Sequence, residues 1–430
     1  MIIIKTSGII ITKWLKDVKC MEMIRRNLYL DRIRPFIDQD LIKVLIGLRR
    51  SGKTILLSQI RDVLLERGVS KENIIEINFE SRRFKELEAA DIFYQYVTER
   101  VKQAKGRVYL FFDEIQHVEE WHSVIASFRI DFDCDIYVTG SNSKLLSGEL
   151  ATLLSGRYVE INMLPLSFAE FCEIRDGGEH EKLLAEYMKN GALPYVAALN
   201  SETEKVEMYL EGIYNTIIVK DIEERQNRKE RDPNKRKVTD IALLKNISKF
   251  LASSVGSPVS IKSIADYITS SGRKVSQSTI GDYVEALVEP YIFYPAERYD
   301  VLGKQLLKMN QKMYIVDLGL RRHLLPRKRY DLGFSLENVV YFELLRRGYQ
   351  VNVGKVGTTE VDFVARKGED VFYYQVTASM TEESTFNREM APLKAITDNY
   401  PKTVITLDRF STGNYEGIHV VNAIDWLLEK

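Results

Sequence analysis

The sequence predicts an α/β protein whose first domain contains a central parallel sheet. Apolar runs typical of buried strands occur at 41–46, 74–80, 108–116 and 134–143, and a helix-like stretch at about 86–103 separates the second run from the third. Strands that alternate with helices favour parallel pairing. The chain of 430 residues is also too long for one ordinary core, so two or three domains are expected.

The segment 41–60 joins an apolar run ending in Ile46, a glycine-rich turn and an apolar periodic stretch. The turn has the spacing G-x-x-x-x-G-K-T from Gly47 to Thr54. Glycines let backbone N–H groups wrap phosphates, and the N-terminus of the next helix adds partial positive charge. This phosphate-binding loop (P-loop) predicts an ATP site. The expected nucleotide-binding residues are Gly47, Leu48, Arg49, Arg50, Ser51, Gly52, Lys53, Thr54, Ile55 and Asp113.

Four side chains in and after this loop have distinct expected roles. Lys53 is expected to reach the β- and γ-phosphates, and Thr54 is expected to ligate magnesium. The run at 108–116 brings two adjacent acids, Asp113 and Glu114, to the end of a strand. Asp113 is expected to hold magnesium through water, and Glu114 to polarise the attacking water. The sequence therefore predicts ATP and Mg²⁺ as cofactors, with Lys53 and Glu114 as catalytic residues.

The strand at 134–143 ends in a polar cluster and adds a strand between the P-loop strand and its catalytic neighbour. This arrangement resembles the additional-strand, catalytic-glutamate class of P-loop ATPases. The resemblance implies that a polar residue after this strand, Ser141 or Asn142, senses the γ-phosphate. A simple turn is the alternative interpretation of these two residues.

Three arginines are further candidates. Arg157 follows a helix-like segment and is predicted to stabilise transition-state charge, in cis or in trans. Arg49 and Arg50 lie inside the P-loop, where they could contact phosphate, a neighbouring subunit or solvent. The sequence does not decide among these three roles.

The motifs GLRRSGKTILL, FFDEIQHVEEW, TGSNSKLLSGELATLLSGRY and LPLSFAEF together resemble prokaryotic AAA-type ATPases of the AAA+ superfamily that carry an uncharacterised carboxy-terminal region. KNGALPYV, VKDIEER, KMYIVDLGLRRHLL, ENVVYFELLRRGYQV and YYQVTASM continue the resemblance in order. It implies an ATPase core, a helical connector, a winged helix and a small α/β module resembling restriction endonucleases. The expected ranges are an uncertain N-terminal extension at 1–22, the core at 23–167, the connector at 168–240, the winged helix at 241–330 and the nuclease-like domain at 331–430.

The segment 259–301 has helix-turn-helix spacing, with a second helix beginning near Ser276 and strands from Tyr291 onward that would form a wing. DNA reading would place residues at the start of the second helix near a groove. Protein binding is the alternative. The basic stretch 225–237 could touch phosphates or be a solvated linker. The candidate DNA-facing residues are Lys274, Gln277 and Ser278.

The last hundred residues place Glu360 and Asp362 on one strand and Gln375 thirteen residues after Asp362, a spacing that resembles restriction-endonuclease-like folds. The acid and lysine expected on the next strand are replaced by Gln375 and Thr377. Such a loss should lower phosphodiester cleavage severely. The module is therefore predicted to bind rather than cleave, although Glu337, Glu343 and Asp362 could still assemble a metal site.

The 61 basic and 61 acidic residues balance, so any nucleic acid or anionic membrane must meet a local patch. Three unpaired cysteines indicate a reducing compartment, and neither an export signal nor a membrane-spanning run is recognised. The sequence predicts a cytoplasmic, magnesium-dependent ATPase that moves its carboxy-terminal modules and acts on DNA, on another protein, or as a homo-oligomer. A nucleotide-gated protein-binding switch with little turnover and an ATP-dependent nuclease are the alternatives.

Overall fold

The computed structural model describes residues 24–140, 154, 156–175, 177–199, 203–217, 222, 238–325 and 332–429. The chain forms two compact units. The first comprises Met1–Pro165 with Glu289–Tyr291, and the second comprises Leu166–Val288 with Ile292–Lys430. Ser141 and Asn142 lie outside the described residues, as do residues 1–23 and the basic stretch 225–237.

The first unit contains the strands and helices that the apolar runs predict. Among its described residues the strands are β1 (Ile42–Ile46), β2 (Ile74–Asn78), β3 (Val108–Asp113), β4 (Cys134–Thr139) and β5 (Tyr158–Asn162). The α-helices are Asn27–Ile33, Lys53–Glu66, Ala90–Val101 and Trp121–Asp131. Short 3₁₀ helices lie at Arg34–Phe36, Lys71–Asn73, Arg82–Glu88 and Ile115–His117.

The five strands of the first unit form one parallel sheet in the order β2-β3-β4-β1-β5. The predicted α/β class is confirmed, and β4 lies between the P-loop strand β1 and the acidic strand β3, as the sequence indicates. Every residue of β1, β3 and β4 is buried. Burial on both faces explains why these strands are continuous apolar runs rather than alternating ones.

The helix that follows the P-loop packs on this sheet through one face. Its residues Leu56, Ile60 and Leu64 recur every four positions and are fully buried. They share a core cluster with Leu45 of β1 and Phe111 of β3. Helical periodicity therefore fixes the start of this helix, and with it Lys53, against the carboxyl edge of the sheet.

The second unit is larger and mixes helices with a second sheet. Its described helices are Phe168–Ile174, His180–Asn190, Pro194–Ala198, Thr203–Asn215, Ile241–Ser253, Ile261–Ser270, Gln277–Val288, Leu318–Leu324, Leu332–Arg346, Glu383–Lys394 and Ala423–Leu428. Its strands are β6 (Pro258–Val259), β7 (Phe293–Asp300), β8 (Gln305–Ile315), β9 (Gln350–Val356), β10 (Thr359–Lys367), β11 (Asp370–Thr377), β12 (Lys402–Thr406), β13 (Gly413–Tyr415) and β14 (Ile418–Asn422).

These nine strands form one mixed sheet in the order β13-β14-β12-β11-β10-β9-β7-β8-β6. Strands β9, β10 and β11 form an antiparallel meander, while β11, β12 and β14 run parallel. Strand β7 pairs in parallel with β9, so that strands assigned to the winged helix and to the nuclease-like domain share a sheet. The boundaries at 240 and 330 stay predictions within this single compact unit.

The predicted helix-turn-helix segment forms two helices, Ile261–Ser270 and Gln277–Val288, followed by the antiparallel hairpin of β7 and β8. A reciprocal hydrogen-bonded cap at Ser260 and Ser263 begins the first of these helices. The segment thus has the predicted element order. Among the described helices of the chain, none is long and apolar enough to cross a lipid bilayer.

A buried carboxylate joins two loops of the second unit. Asp317 accepts hydrogen bonds from the backbone N–H groups of Ala192, at 2.6 Å, and Leu320, at 3.0 Å. Gly191 has a φ of 87°, and a Cβ there would lie 2.2 Å from Asp317 Oδ1. The sequence KNGALPYV therefore needs glycine at 191 for both its backbone conformation and its space.

Replacing Gly191 by alanine is expected to destabilise the second unit by roughly 2–5 kcal/mol, combining a left-handed backbone with overpacking against Asp317. Gly272 is a matched control, because its φ is 92° and no other group lies within 4 Å of the position that a Cβ would take there. Gly272→Ala should cost only about 1–2 kcal/mol. Urea unfolding of both variants measures the difference, and equal losses would contradict the steric role of Asp317.

Candidate nucleotide-binding site

The P-loop connects β1 to the helix Lys53–Glu66 at the carboxyl edge of the first sheet. Gly47 has a φ of 135° and Gly52 a φ of 104°, conformations that disfavour residues with a Cβ. A Cβ at Gly47 would lie 2.1 Å from the carbonyl oxygen of Met163. Both glycines of the motif are therefore required by the backbone path of the loop.

Lys53 is the first residue of the helix, and its side chain folds against the loop. Its Nζ donates to the carbonyl oxygens of Gly47 and Leu48, each at 3.1 Å. Only 5% of the residue is exposed. The ammonium is thus held over the loop that the sequence assigns to phosphate.

Thr54 and Asp113, the two residues that the sequence assigns to magnesium, meet at the carboxyl edge of the sheet. Thr54 Oγ1 donates to Asp113 Oδ2 at 2.8 Å. Asn78, at the end of β2, donates from Nδ2 to the same oxygen at 2.8 Å. Thr139, at the end of β4, donates to Asp113 Oδ1. Burial, partly offset by the Thr139 hydrogen bond, raises the pKa of Asp113.

Glu114 follows Asp113 in a left-handed conformation, with φ 53° and ψ 48°. Its backbone N–H donates to Thr139 Oγ1 at 2.9 Å, and Gln116 donates from Nε2 to its Oε2. Thr139 therefore fixes both acids of the DE pair. This threonine was not singled out from the sequence, although it ends an apolar run directly before the polar cluster that contains Ser141 and Asn142.

The remaining P-loop residues surround this core of contacts. Ser51 is fully buried and Ile55 is half-buried. Arg49 pairs through Nη2 with Glu80 Oε1 at 2.7 Å. Arg50 is exposed and has a φ of 67°. The structure gives Arg49 an acidic partner within its own unit and leaves the role of Arg50 a prediction.

Arg157 lies at the amino ends of the strands, whereas the P-loop lies at their carboxyl ends. Its carbonyl oxygen accepts from Ile42 N at 3.0 Å, at the amino end of β1, and its side chain is exposed. Five residues of extended strand separate Ile42 from Gly47, or about 16 Å. This placement is unfavourable to a cis role toward the P-loop of the same chain.

Arg26 is a residue of the site region that sequence reasoning did not select. Its Nη1 donates to Ser51 O at 3.2 Å and its Nη2 to Leu164 O at 3.0 Å. Its guanidinium lies 4.9 Å from the ring centroid of Tyr29. The sequence alone does not reveal this role of Arg26, because the residues that it contacts lie 25 and 138 positions further along the chain.

The carboxy-terminal candidates do not assemble as the sequence suggests. Glu343 pairs with Arg346, at 2.5 Å, and with Arg347, at 3.1 Å, whereas Glu337 and Asp362 pair with Lys312. Among the residues that the structure describes, no group of three His, Cys, Asp or Glu is arranged to hold a metal ion. The hypothesis of a metal site built from Glu337, Glu343 and Asp362 is therefore wrong, because arginines engage Glu343 and a lysine engages the other two.

The candidate DNA-facing residues lie where the sequence places them. Lys274 precedes the helix Gln277–Val288, and Gln277 and Ser278 occupy its first turn; all three are exposed. The neighbouring Arg273 pairs with Asp240. Exposure at a helix start is required for contact with a groove but is common to many surfaces, so DNA contact stays a prediction.

A parallel sheet with a P-loop after β1 and an acidic pair at the end of β3 defines a P-loop nucleotide-binding fold. Residues 39–172 match the model of an AAA domain, and residues 181–331 match that of a domain of unknown function. An uncharacterized protein of Haemophilus influenzae is 41% identical over 411 residues, covering 95% of this chain and 99% of the relative. The chain belongs to the same family as this relative, a family of prokaryotic AAA+ P-loop proteins, as the motifs predict.

Other similarities are more distant. The uncharacterized protein MJ1544 of Methanocaldococcus jannaschii is 31% identical over 412 residues, with 89% of this chain and 87% of the relative covered. The Aeropyrum pernix ORC1 protein in complex with DNA is 13% identical, covers 71% of this chain and 93% of its own, and has a TM-score of 0.29. The Thermotoga maritima RuvB branch migration motor is 15% identical, covers 63% and 89%, and has a TM-score of 0.31.

Proposed function

We propose that the chain binds ATP with magnesium at the P-loop and hydrolyses it. The observation that carries this proposal is the 2.8 Å contact between Thr54 Oγ1 and Asp113 Oδ2. A hydroxyl and a carboxylate are oxygen ligands of the kind that Mg²⁺ accepts. They meet beside a loop whose glycine cradle has no room for a Cβ at Gly47. The residues therefore fit a magnesium nucleotide.

Each residue of the cluster has a role that follows from its contacts. Lys53 exchanges its two carbonyl partners for phosphate oxygens. Thr54 and Asp113 would hold the magnesium ion, which would supply charge neutralisation to the phosphates. Glu114 orients and polarises the attacking water, while Thr139 holds the backbone of this glutamate in position. Hydrolysis rests on Glu114 because it is the acid beside the proposed metal ligand.

The proposal also concerns the molecule on which the second unit acts. A motor that moves this unit on nucleic acid is supported by the exposed residues Lys274, Gln277 and Ser278 at a helix start. The decisive experiment measures ATP turnover alone and with single-stranded DNA, duplex DNA or RNA. Stimulation by one of these polymers supports a nucleic-acid motor. Turnover that none of them changes favours a protein-directed switch, and no turnover at all contradicts the ATPase proposal.

We further propose that Arg157 acts in trans in an assembly of several copies. The support is its exposed position at the sheet edge opposite the P-loop. Arg157→Ala should lower turnover by roughly 10³-fold, as loss of a catalytic arginine does, without weakening ATP binding. Mixing it with Lys53→Ala copies, which keep Arg157, should restore part of the turnover.

Arg82→Ala is the matched control for this mixing experiment, because Arg82 is also exposed on the first unit. It should retain normal turnover. Full activity of Arg157→Ala alone would remove the arginine from the mechanism. Loss of activity that mixing does not restore would contradict action across an interface.

A further inference from the structure

Four ionisable side chains meet inside the second unit, outside the nucleotide site. Lys312 Nζ on β8 lies 3.0 Å from Glu337 Oε1, 2.8 Å from Glu360 Oε1 and 3.7 Å from Asp362 Oδ1. Glu337 comes from the helix Leu332–Arg346, and the other two acids come from β10. One ammonium is thus surrounded by three carboxylates.

Three members of this cluster are buried, Glu360 is partly exposed, and the carboxylate oxygens have further donors. Exposed side-chain fractions are 4% for Lys312, 6% for Glu337, 13% for Asp362 and 28% for Glu360. Tyr314 OH donates to Glu337 Oε1 at 2.6 Å, and Val376 N donates to Asp362 Oδ2 at 2.8 Å. The arrangement is therefore a built interior site rather than a surface ion pair.

Charge balance makes the lysine essential to this arrangement. Burial opposes the charged form of Lys312, but the carboxylates of Glu337, Asp362 and Glu360 more than offset it and raise the pKa of the ammonium. Arg298 Nη2 adds a second cation at 3.4 Å from Glu360 Oε2. Burial and the charge of Glu337 also raise the pKa of Asp362 to about 8, so the three acids do not all carry a full charge at neutral pH. Removal of Lys312 would leave the buried Glu337 without the cation that pairs with it.

The strand that should supply a lysine does not do so. Thr377 occupies that position on β11, and its hydroxyl donates to Ser379 O at 2.9 Å. Gln375 Oε1 accepts from Asp362 N at 3.3 Å, and its Nε2 donates to Glu389 Oε2 at 2.9 Å. Strand β11 thus lacks a lysine at this position, as the sequence indicates, and the cation beside the acids is Lys312 of β8.

We propose that the Lys312 ammonium is the resident cation of this carboxylate cluster, taking the position of a divalent metal ion and making the second unit a binding module that does not cleave phosphodiesters. The Nζ to oxygen distances of 2.8 and 3.0 Å suit N–H···O bonds. They exceed the roughly 2.0–2.6 Å of magnesium and calcium ligands. An ammonium offers donors and one charge, but it does not activate water as a divalent metal does.

The test measures binding of Mn²⁺ to the full chain by electron paramagnetic resonance, without nucleotide. Lys312→Ala should gain one equivalent of bound Mn²⁺ over wild type, because the carboxylates can then close on a metal. The gain should vanish when Asp362→Asn is added. Wild type and Asp362→Asn should bind equal amounts, which cancels any contribution from the P-loop.

Two further variants make the outcome decisive. Lys367→Ala removes a lysine from the end of β10 that bonds to Arg347 O, and it should bind no more Mn²⁺ than wild type. If Lys312→Ala does not fold, Lys312→Ser keeps a small hydroxyl that can donate to one of the carboxylates, leaves all three acids in place and should gain the same equivalent.

The proposal is overturned if wild type binds an equivalent that Asp362→Asn loses, or if folded Lys312 variants gain none. It is also overturned if wild type nicks supercoiled plasmid with Mg²⁺ or Mn²⁺ and Asp362→Ala abolishes that cutting. Failure here leaves the ATPase proposal intact, because the P-loop lies in the other unit.

Discussion

Replacing Lys53 by alanine is expected to weaken ATP binding by roughly 30- to 1,000-fold and to remove turnover. Loss of a charged hydrogen-bonding partner in a binding site costs about 2–4 kcal/mol, which gives this range of affinities. The ammonium donates to neutral groups of its own loop, the carbonyl oxygens of Gly47 and Leu48. The variant should therefore fold.

The measurement is the ATP-dependent rise in unfolding temperature, together with direct binding of a fluorescent nucleotide. A ligand at a hundred times its Kd stabilises a protein by about 2.7 kcal/mol, so the loss of this rise is readily detected. Lys85→Ala is the control, because Lys85 lies in the same unit with its side chain 73% exposed and pairs with Glu88. Lys53→Ala that keeps the full nucleotide-dependent rise would contradict the assignment of the loop.

Much of the nucleotide site could be predicted because its signals are local in the sequence. The P-loop is one continuous strand, turn and helix, and Asp113 and Glu114 directly end a buried run. In a parallel sheet the carboxyl ends of the strands lie at one edge. Because β1 and β3 are parallel strands of one sheet, Thr54 and Asp113 lie at the same edge, and the two motifs assign both residues to magnesium.

Asn78 and Thr139 were missed because their contacts depend on strand register. Asn78 is the register partner of Asp113 across β2 and β3, and Phe112 pairs with Val138, which places Thr139 beside Asp113. The sequence carries a signal for both residues, since each is a polar side chain that ends an apolar run. Register between strands 26 and 35 residues apart is not readable from one sequence, so the signal could not be assigned.

Lys312 shows the same limit more strongly. It lies two residues before Tyr314 on β8, so both side chains point to one face and both reach Glu337. A lysine in an apolar strand signals a buried partner, but the partners come from a helix and from β10. The sequence analysis names Glu360 and Asp362, which are two of the three acids around Lys312. Only the pairing of β7 with β8 and β9 brings the cation to them.

Replacing Glu114 by glutamine is expected to lower ATP turnover by roughly 10²- to 10⁴-fold, the usual contribution of a general base, while ATP affinity stays close to that of wild type. Glutamine keeps the size of the side chain and one carbonyl oxygen. It can therefore still accept the hydrogen bond that Gln116 donates to Oε2. The left-handed backbone and its bond to Thr139 should also persist, because they involve Glu114 N rather than its carboxylate.

Steady-state turnover and equilibrium nucleotide binding, measured on the same preparation, separate these two effects. Glu119→Gln is the matched control, because Glu119 is an exposed acid five residues further along the chain, and it should leave both quantities unchanged. If Glu114→Gln keeps wild-type turnover, another group must activate water.

Binding of a partner to the same variant separates the two roles proposed for ATP. If Glu114→Gln lowers turnover and leaves partner binding unaltered, ATP acts as a bound ligand. If the substitution also changes partner binding, hydrolysis itself is coupled to the partner.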